Sequence, residues 1–188
     1  LLPITSDFEA PGNVGDGRRW GVIFDSTIPL DWLNLVNAKL NFRFRLQDST
    51  VIDPVTDEAR TLSLQGGPGG GIRFLNENDY AWFVEYRQDF QSSQVSWGWN
   101  AIERGERYLF KVNELEVFNE GMDINMFIET SRWFGIKARM TAENILNFQE
   151  QRDRSVFVGE RKVTALDSIE RRRRTRGAQL FFTVSGSF

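Results

Sequence analysis

Apolar and polar residues alternate with a period of two in seven stretches of the chain. That period marks a strand with two unlike faces. Residues 38–47, AKLNFRFRLQ, show it most clearly: Ala38, Leu40, Phe42, Phe44 and Leu46 alternate with Lys39, Asn41, Arg43, Arg45 and Gln47. A helical period would scatter Arg43 and Arg45 around the apolar stripe. Residues 19–28 put Trp20, Val22, Phe24 and Ile28 on one side, with Ser26 as a polar lapse. Residues 80–89 set Tyr80, Trp82, Val84 and Tyr86 against Glu85, Arg87 and Asp89, and residues 95–101 set Val95, Trp97, Trp99 and Ala101 against Ser96, Gly98 and Asn100. Residues 122–130 oppose Met122, Ile124, Met126 and Ile128 to Asp123, Asn125 and Glu129. Residues 136–143 oppose Ile136, Ala138, Met140 and Ala142 to Lys137, Arg139, Thr141 and Glu143. The last stretch, 178–188, opposes Leu180, Phe182, Val184 and Phe188 to Gln179, Thr183, Ser185 and Ser187. The pattern predicts an all-β chain with no long helix and at most a short turn at residues 144–147.

The connections alternate in length. PLDWLNLVN, FQSSQ and SRWFG are short; residues 48–79, 102–121 and 144–176 are long. An up-and-down transmembrane barrel has short periplasmic turns and long extracellular loops. Counting back from a periplasmic C-terminus places the three short connections in the periplasm and the three long ones outside. Each strand also has one face almost free of charge. The other face carries the residues expected to line a lumen: Lys39, Arg43, Arg45, Glu85, Arg87, Asp89, Asp123, Glu129, Lys137, Arg139 and Glu143. Solvation of the wall is the simpler role for each, ligand contact the sharper one. Charges facing water also suit a soluble sandwich. The rings of Trp20, Trp32, Tyr80, Trp82, Tyr86, Trp97, Trp99 and Trp133 favour a membrane, where aromatic girdles sit at the two interfaces.

Composition narrows the chemistry. The 188 residues include no Cys and no His, which removes disulfides, thiol chemistry, the commonest general base and the commonest metal ligand. Ser-His-Asp and Cys-His catalysis are therefore impossible, and no carboxylate pair stands out, so no enzyme is expected. With 23 Lys and Arg against 26 acids, the chain is not a generally basic nucleic-acid binder. No apolar run is long enough for a membrane-spanning helix; a barrel strand needs only about 9–11 alternating residues.

The chain resembles the C-terminal part of the β-barrel of TonB-dependent outer-membrane receptors, the active transporters of Gram-negative bacteria. LNFRFRLQDSTVIDPVTDEAR is similar to a barrel strand rising into an outer loop in such receptors. AENILNFQEQRDRSVFVG is similar to their penultimate strand and loop, and TRGAQLFFTVSGSF to their last strand. That ending also fits the outer-membrane assembly signal at Thr175, Gly177, Leu180, Phe182 and the terminal Phe188. The resemblance implies that residues 1–188 form about the last seven strands of such a barrel. It implies uptake of a scarce ligand of the siderophore, cobalamin or oligosaccharide class, with energy relayed by TonB. The partners implied are outer-membrane lipid, the receptor's own plug domain and TonB, both outside this chain, and the barrel-assembly machinery; no cofactor or metal is implied. Seven strands do not close an ordinary up-and-down barrel, so the chain reads as part of a larger one. An eighth strand, from residues 60–75 or the first ten, would permit a small closed barrel, a porin or an adhesin. A soluble β-sandwich or lipocalin-like binding module is the remaining alternative.

Three charged or Gly-rich motifs stand apart. GGPGGG, residues 66–71, lacks the Lys and Ser/Thr of a phosphate loop and reads as a loop tip. Glu114, Glu116 and Glu120 with Asp123 offer oxygens to a hard cation, without the spacing of an EF-hand. Arg171, Arg172, Arg173, Arg174 and Arg176 read most simply as a solvated rim paired with Glu160, Asp167 and Glu170; attraction to lipopolysaccharide or another anion is the alternative.

Overall fold

The computed structural model describes residues 14–62, 79–133 and 135–186, and the backbone alone at 2–3 and 9–10. The terminal Phe188, the GGPGGG segment and most of 60–75 lie outside the described residues. The strands are β1 (Leu2–Pro3), β2 (Glu9–Ala10), β3 (Gly17–Pro29), β4 (Ala38–Ile52), β5 (Ala59–Arg60), β6 (Tyr80–Phe90), β7 (Val95–Arg104), β8 (Arg107–Phe110), β9 (Glu114–Asn119), β10 (Met122–Trp133), β11 (Ile136–Glu143), β12 (Gln149–Phe157), β13 (Leu166–Thr175) and β14 (Gln179–Ser185). A 3-10 turn at Asp31–Leu33 is the only helical element among the described residues.

All pairing is antiparallel. One sheet runs β14-β11-β10-β7-β6-β4-β3, with β5 on the end of β4; a second runs β13-β12-β9-β8. The second continues the first. β7 leads into β8, β9 into β10, β11 into β12, and β13 into β14, each across a short break. Positive φ at Gly121 (65°), Asn144 (51°), Asn147 (50°) and Gly177 (74°) makes three of the breaks. Glycine and asparagine tolerate that region at little cost. Asn144 ties the breaks together: its N–H donates to Asn125 Oδ1, its side-chain amide donates to the Gly177 carbonyl at 3.1 Å, and its Oδ1 accepts from Phe148 N–H. Four long strands therefore bend at one level into a lower sheet and an upward extension.

The extension corrects the sequence reading. Residues 102–121 and 144–176, expected as long loops, are largely strands β8, β9, β12 and β13 closed by tight hairpins. QEQRDRSVF and LDSIERRRRT pair with one another along their length. Neither has an apolar face, so neither carries the period-two signal. The other limits move little: residues 38–47 lengthen to Ile52, and 122–130 to Trp133.

No closed barrel forms among the described residues. β3 and β14 are the two free edges of the lower sheet. The extensive contacts are all between hydrogen-bonded neighbours, so among the described residues no second sheet covers either face. Burial is inverted relative to a water-soluble domain. The largest fully buried side chains are those of Arg107, Glu116 and Asp53, while Trp20, Phe24, Phe182 and Leu180 are more than half exposed. The small apolar cluster of Leu30, Ala38 and Tyr86, with Leu35, Leu40, Trp97 and Trp99 against it, lies where the short 30–37 turn meets the lower sheet.

Candidate functional site

Register sorts the lower sheet into two faces. Directly opposed partners in antiparallel strands share a face. Ile28, Leu40, Tyr86, Trp99, Met126, Ala142 and Leu180 form one unbroken apolar row across the sheet. Below it run Ala38, Gln88, Trp97, Ile128, Met140 and Phe182; above it run Phe24, Phe44, Trp82 and Glu103. Apart from Ser26, opposite Phe42, polar heads appear near the limits of this face. At the upper limit Glu103 accepts from Trp82 Nε1 at 3.1 Å and Tyr80 Oη at 3.4 Å. At the lower limit Gln88 Oε1 accepts from Tyr86 Oη at 2.9 Å and Trp97 Nε1 at 3.4 Å. Beyond that limit the short connections expose Trp32, Leu33, Val36 and Trp133. Along β4 the apolar positions run from Ala38 to Leu46, close to the roughly 9–11 residues of a spanning strand.

The opposite face is polar, and register places all eleven expected lumen residues on it: Lys39, Arg43, Arg45, Glu85, Arg87, Asp89, Asp123, Glu129, Lys137, Arg139 and Glu143. Several of them are paired. Arg43 bridges Asp25 at 2.8 Å, and Asn41 joins Thr27 to Glu85. Glu129, nearly buried, accepts from Arg87 at 2.8 Å, Lys137 at 2.9 Å and Arg139 at 3.2 Å. The guanidinium of Arg139 lies 4.1 Å from the centre of the Phe127 ring, a cation–π contact. Gly98, opposite Phe127, has no room for a side chain. A Cβ there would fall 2.3 Å from the Tyr86 carbonyl and 2.8 Å from the ring of Phe127. Phe83, Ile102 and Phe181 also lie on this face, a mixed composition the alternation did not anticipate.

The extension is held by ions. Glu116 accepts from Arg152 at 2.6 Å and Lys111 at 2.9 Å. Glu114 accepts from Lys111 at 2.7 Å and pairs with Arg154, which also reaches Glu170. Glu120 pairs with Arg104 and Arg107. The hydrogen bonds of Arg154 and Lys111 hold the Glu114 carboxyl below its usual range, against its burial. Burial would raise Glu116, but Arg152 and Lys111 outweigh it and hold it low. Burial and the Glu106 carboxylate push the Tyr108 phenol up to about 12. Thus Glu114, Glu116 and Glu120 spend their oxygens on cations of the chain, and the described residues contain no cluster of three or more potential metal ligands.

A second ion cluster joins distant parts of the chain. Asp53, at the top of β4, accepts from Arg60 at 2.7 Å, from Arg161 at 2.6 Å and from the Val55 N–H at 2.8 Å. Asp57 pairs with Lys162. Arg161 also donates to the Lys111 carbonyl at 2.6 Å. The β12–β13 hairpin is thereby clasped to the segment following β4. Burial raises the Asp53 carboxyl, and the bonds to Arg161 and Val55 with the charges of Arg161 and Arg60 bring it below its usual range. Alternation could not find this clasp, because its members lie in the two-residue β5 and in connections.

The assembly-signal residues fall at the junction of β13 and β14. Thr175 donates to Asn147 at 2.6 Å, Gly177 occupies the left-handed region, and Leu180 and Phe182 lie on the apolar face. Compared with protein-family models, with curated proteins and with solved structures, the chain matches none.

Proposed function

We propose that this chain is part of the wall of an outer-membrane β-barrel, its apolar face against lipid and its ion-paired face toward the lumen. The observation that carries the reading is the unbroken apolar row from Ile28 to Leu180, over which the described residues place only the short 30–37 turn at Tyr86, leaving Met126 and Leu180 exposed. Soluble monomers keep contiguous apolar patches to roughly 300–600 Å². Half-exposed aromatic rings of about 100 Å² each reach that limit with about five side chains. In this reading the short connections and the C-terminus lie in the periplasm, and the charged extension stands outside the membrane. The two free edges, β3 and β14, pair with further strands of the same barrel.

The resemblance to TonB-dependent receptors supplies the rest of the proposal. The wall belongs to an energised uptake receptor for a scarce ligand, and the paired charges around Glu129 face its plug. A passive porin or adhesin is the second reading, favoured by nothing in the geometry beyond the same wall.

Refolding the chain into bilayers of lipids brominated near the middle of the acyl chain tests the wall. Trp82 and Trp99 lie on the apolar face, so strong quenching of tryptophan fluorescence is expected. An unquenched, monodisperse monomer in detergent-free buffer would overturn the reading. Stable ion conductance from the reconstituted chain alone would transfer it to the porin.

A further inference from the structure

The arginine strand is not the paired rim that composition suggests. Seven other arginines and lysines in or beside the extension have a carboxylate partner: Arg104, Arg107, Lys111, Arg152, Arg154, Arg161 and Lys162. Arg171, Arg172, Arg173 and Arg174 have none among the described residues, and all four are exposed. Glu170, their nearest acid in sequence, is taken by Arg154. Arg172 lies directly opposite Arg152, a like-charge juxtaposition that weakens a sheet; Arg171 lies opposite Asp153 and Arg174 opposite Glu150, in neither case with an ion pair formed. Arg174 and Arg172 share one face of β13, Arg171 and Arg173 the other, so arginines on a face recur about every 7 Å.

The position of this strand points to its partner. β13 runs directly into β14, whose Leu180, Phe182 and Val184 end the apolar rows. The junction is pinned: Thr175 donates to Asn147, Gly177 N–H donates to Thr175 Oγ1 at 3.0 Å, and the Gly177 carbonyl accepts from Asn144. From Arg174 to Leu180 the chain advances at most about 20 Å. Unpaired guanidinium groups are thus fixed just above the apolar belt. Guanidinium recognises phosphate with paired, charge-assisted hydrogen bonds.

We infer that the Arg171–Arg174 edge of β13 binds phosphate-bearing headgroups of the lipids that border the apolar face. The inference rests on the membrane reading above. It names the lipid chemistry that this part of the wall selects: anionic, phosphorylated headgroups in the leaflet on the extension side.

The test uses the whole chain refolded in zwitterionic micelles doped with a fluorescent bisphosphorylated glycolipid. The wild-type chain is expected to retain the probe at low salt and release it as salt rises. R171Q/R172Q/R173Q/R174Q is expected to weaken retention at least about tenfold. R152Q, whose charge is already held by Glu116, is expected to change it far less. Equal retention by the wild type and the quadruple variant overturns the inference; if that variant also self-associates, the arginines serve as guards of a free edge. Displacement of the probe by inorganic phosphate as effectively as by the lipid would also overturn it, in favour of a soluble anion. Tryptophan quenching is read in parallel on the same variants refolded into brominated-lipid bilayers. Loss of quenching refutes the membrane reading; intact quenching without lipid retention refutes only the headgroup strip.

Discussion

The lower sheet and its extension are continuous strands built on opposite principles. In the lower sheet one face is apolar, its row Ile28 to Leu180 runs in register from edge to edge, and among the described residues only the 30–37 turn packs on it, at Ala38 and Tyr86. In the extension the most deeply buried groups are charged, with Glu116 and Arg107 almost inaccessible to solvent. The break at Gly121, Asn144 and Gly177 divides the two regimes. A strand that meets two different media shows it as alternation. Strands β12 and β13, polar on both faces, have no such difference to record, and cross-strand ion pairs hold the extension instead.

Acid separates the two regions most sharply. The folded carboxyls of Glu114 and Glu116 lie below their ordinary 4.5, and that of Asp53 lies below 3.8. A depressed folded value means that each contributes stability fully above its unfolded pKa. That contribution fades as pH falls through the folded value. Below about pH 4 the extension is therefore expected to loosen while the lower sheet persists. All six tryptophans lie in the lower sheet or its short connections, and Tyr108 is the tyrosine of the extension. The nuclear magnetic resonance signal of Tyr108 should lose its dispersion first, with tryptophan quenching by lipid unchanged. Simultaneous loss of both would mean that the two sheets stand or fall together.

Single substitutions sharpen the contrast. Asp53→Ala leaves Arg60 and Arg161, each about 9 % exposed, without their shared acceptor. Breaking a buried pair costs about 3–5 kcal/mol, and protease cleavage within residues 158–165 should rise while the lower sheet stays protected. Phe42→Arg places a charge midway along the apolar run of β4. In a bilayer that costs roughly 2–4 kcal/mol, measured by denaturant titration of the refolded chain. If Phe42→Arg instead made the chain more soluble without loss of stability, the apolar face would be meeting water. Gly98→Ala is smaller, about 1–3 kcal/mol, because the polar face must shift Phe127 or the Tyr86 backbone to admit a methyl group.

What was legible follows from the same contrast. Residues 38–47 give their faces without error, since Phe42, Phe44 and Leu46 share one side and Arg43 and Arg45 the other. All eleven charged residues expected opposite the apolar face lie together there. The strands QEQRDRSVF and LDSIERRRRT were illegible because polarity on both faces looks like a loop. The Asp53 clasp was illegible for another reason. It joins Asp53 to Arg161 across most of the chain, through connections without periodicity. Glu129 was visible as a charge on the polar face, but not as the point where Arg87, Lys137 and Arg139 converge.

The smallest effect probes whether the polar face is wet. Arg43 and Asp25 bridge at 2.8 Å, with side chains 40 % and 53 % exposed. An exposed pair of this kind contributes about 0–1 kcal/mol, and added salt screens it further. Arg43→Met should therefore change stability by less than about 1 kcal/mol if water reaches that face. The buried Glu129 makes the opposite case on the same face, since its three cations leave it only 6 % exposed. Glu129→Gln removes the charge that Arg87, Lys137 and Arg139 share, and should exceed Arg43→Met severalfold in the same denaturant titration. Equal effects would mean that the face is uniformly packed; a large gap identifies Glu129 as a buried anchor of the polar face and leaves the Arg43–Asp25 pair open to water.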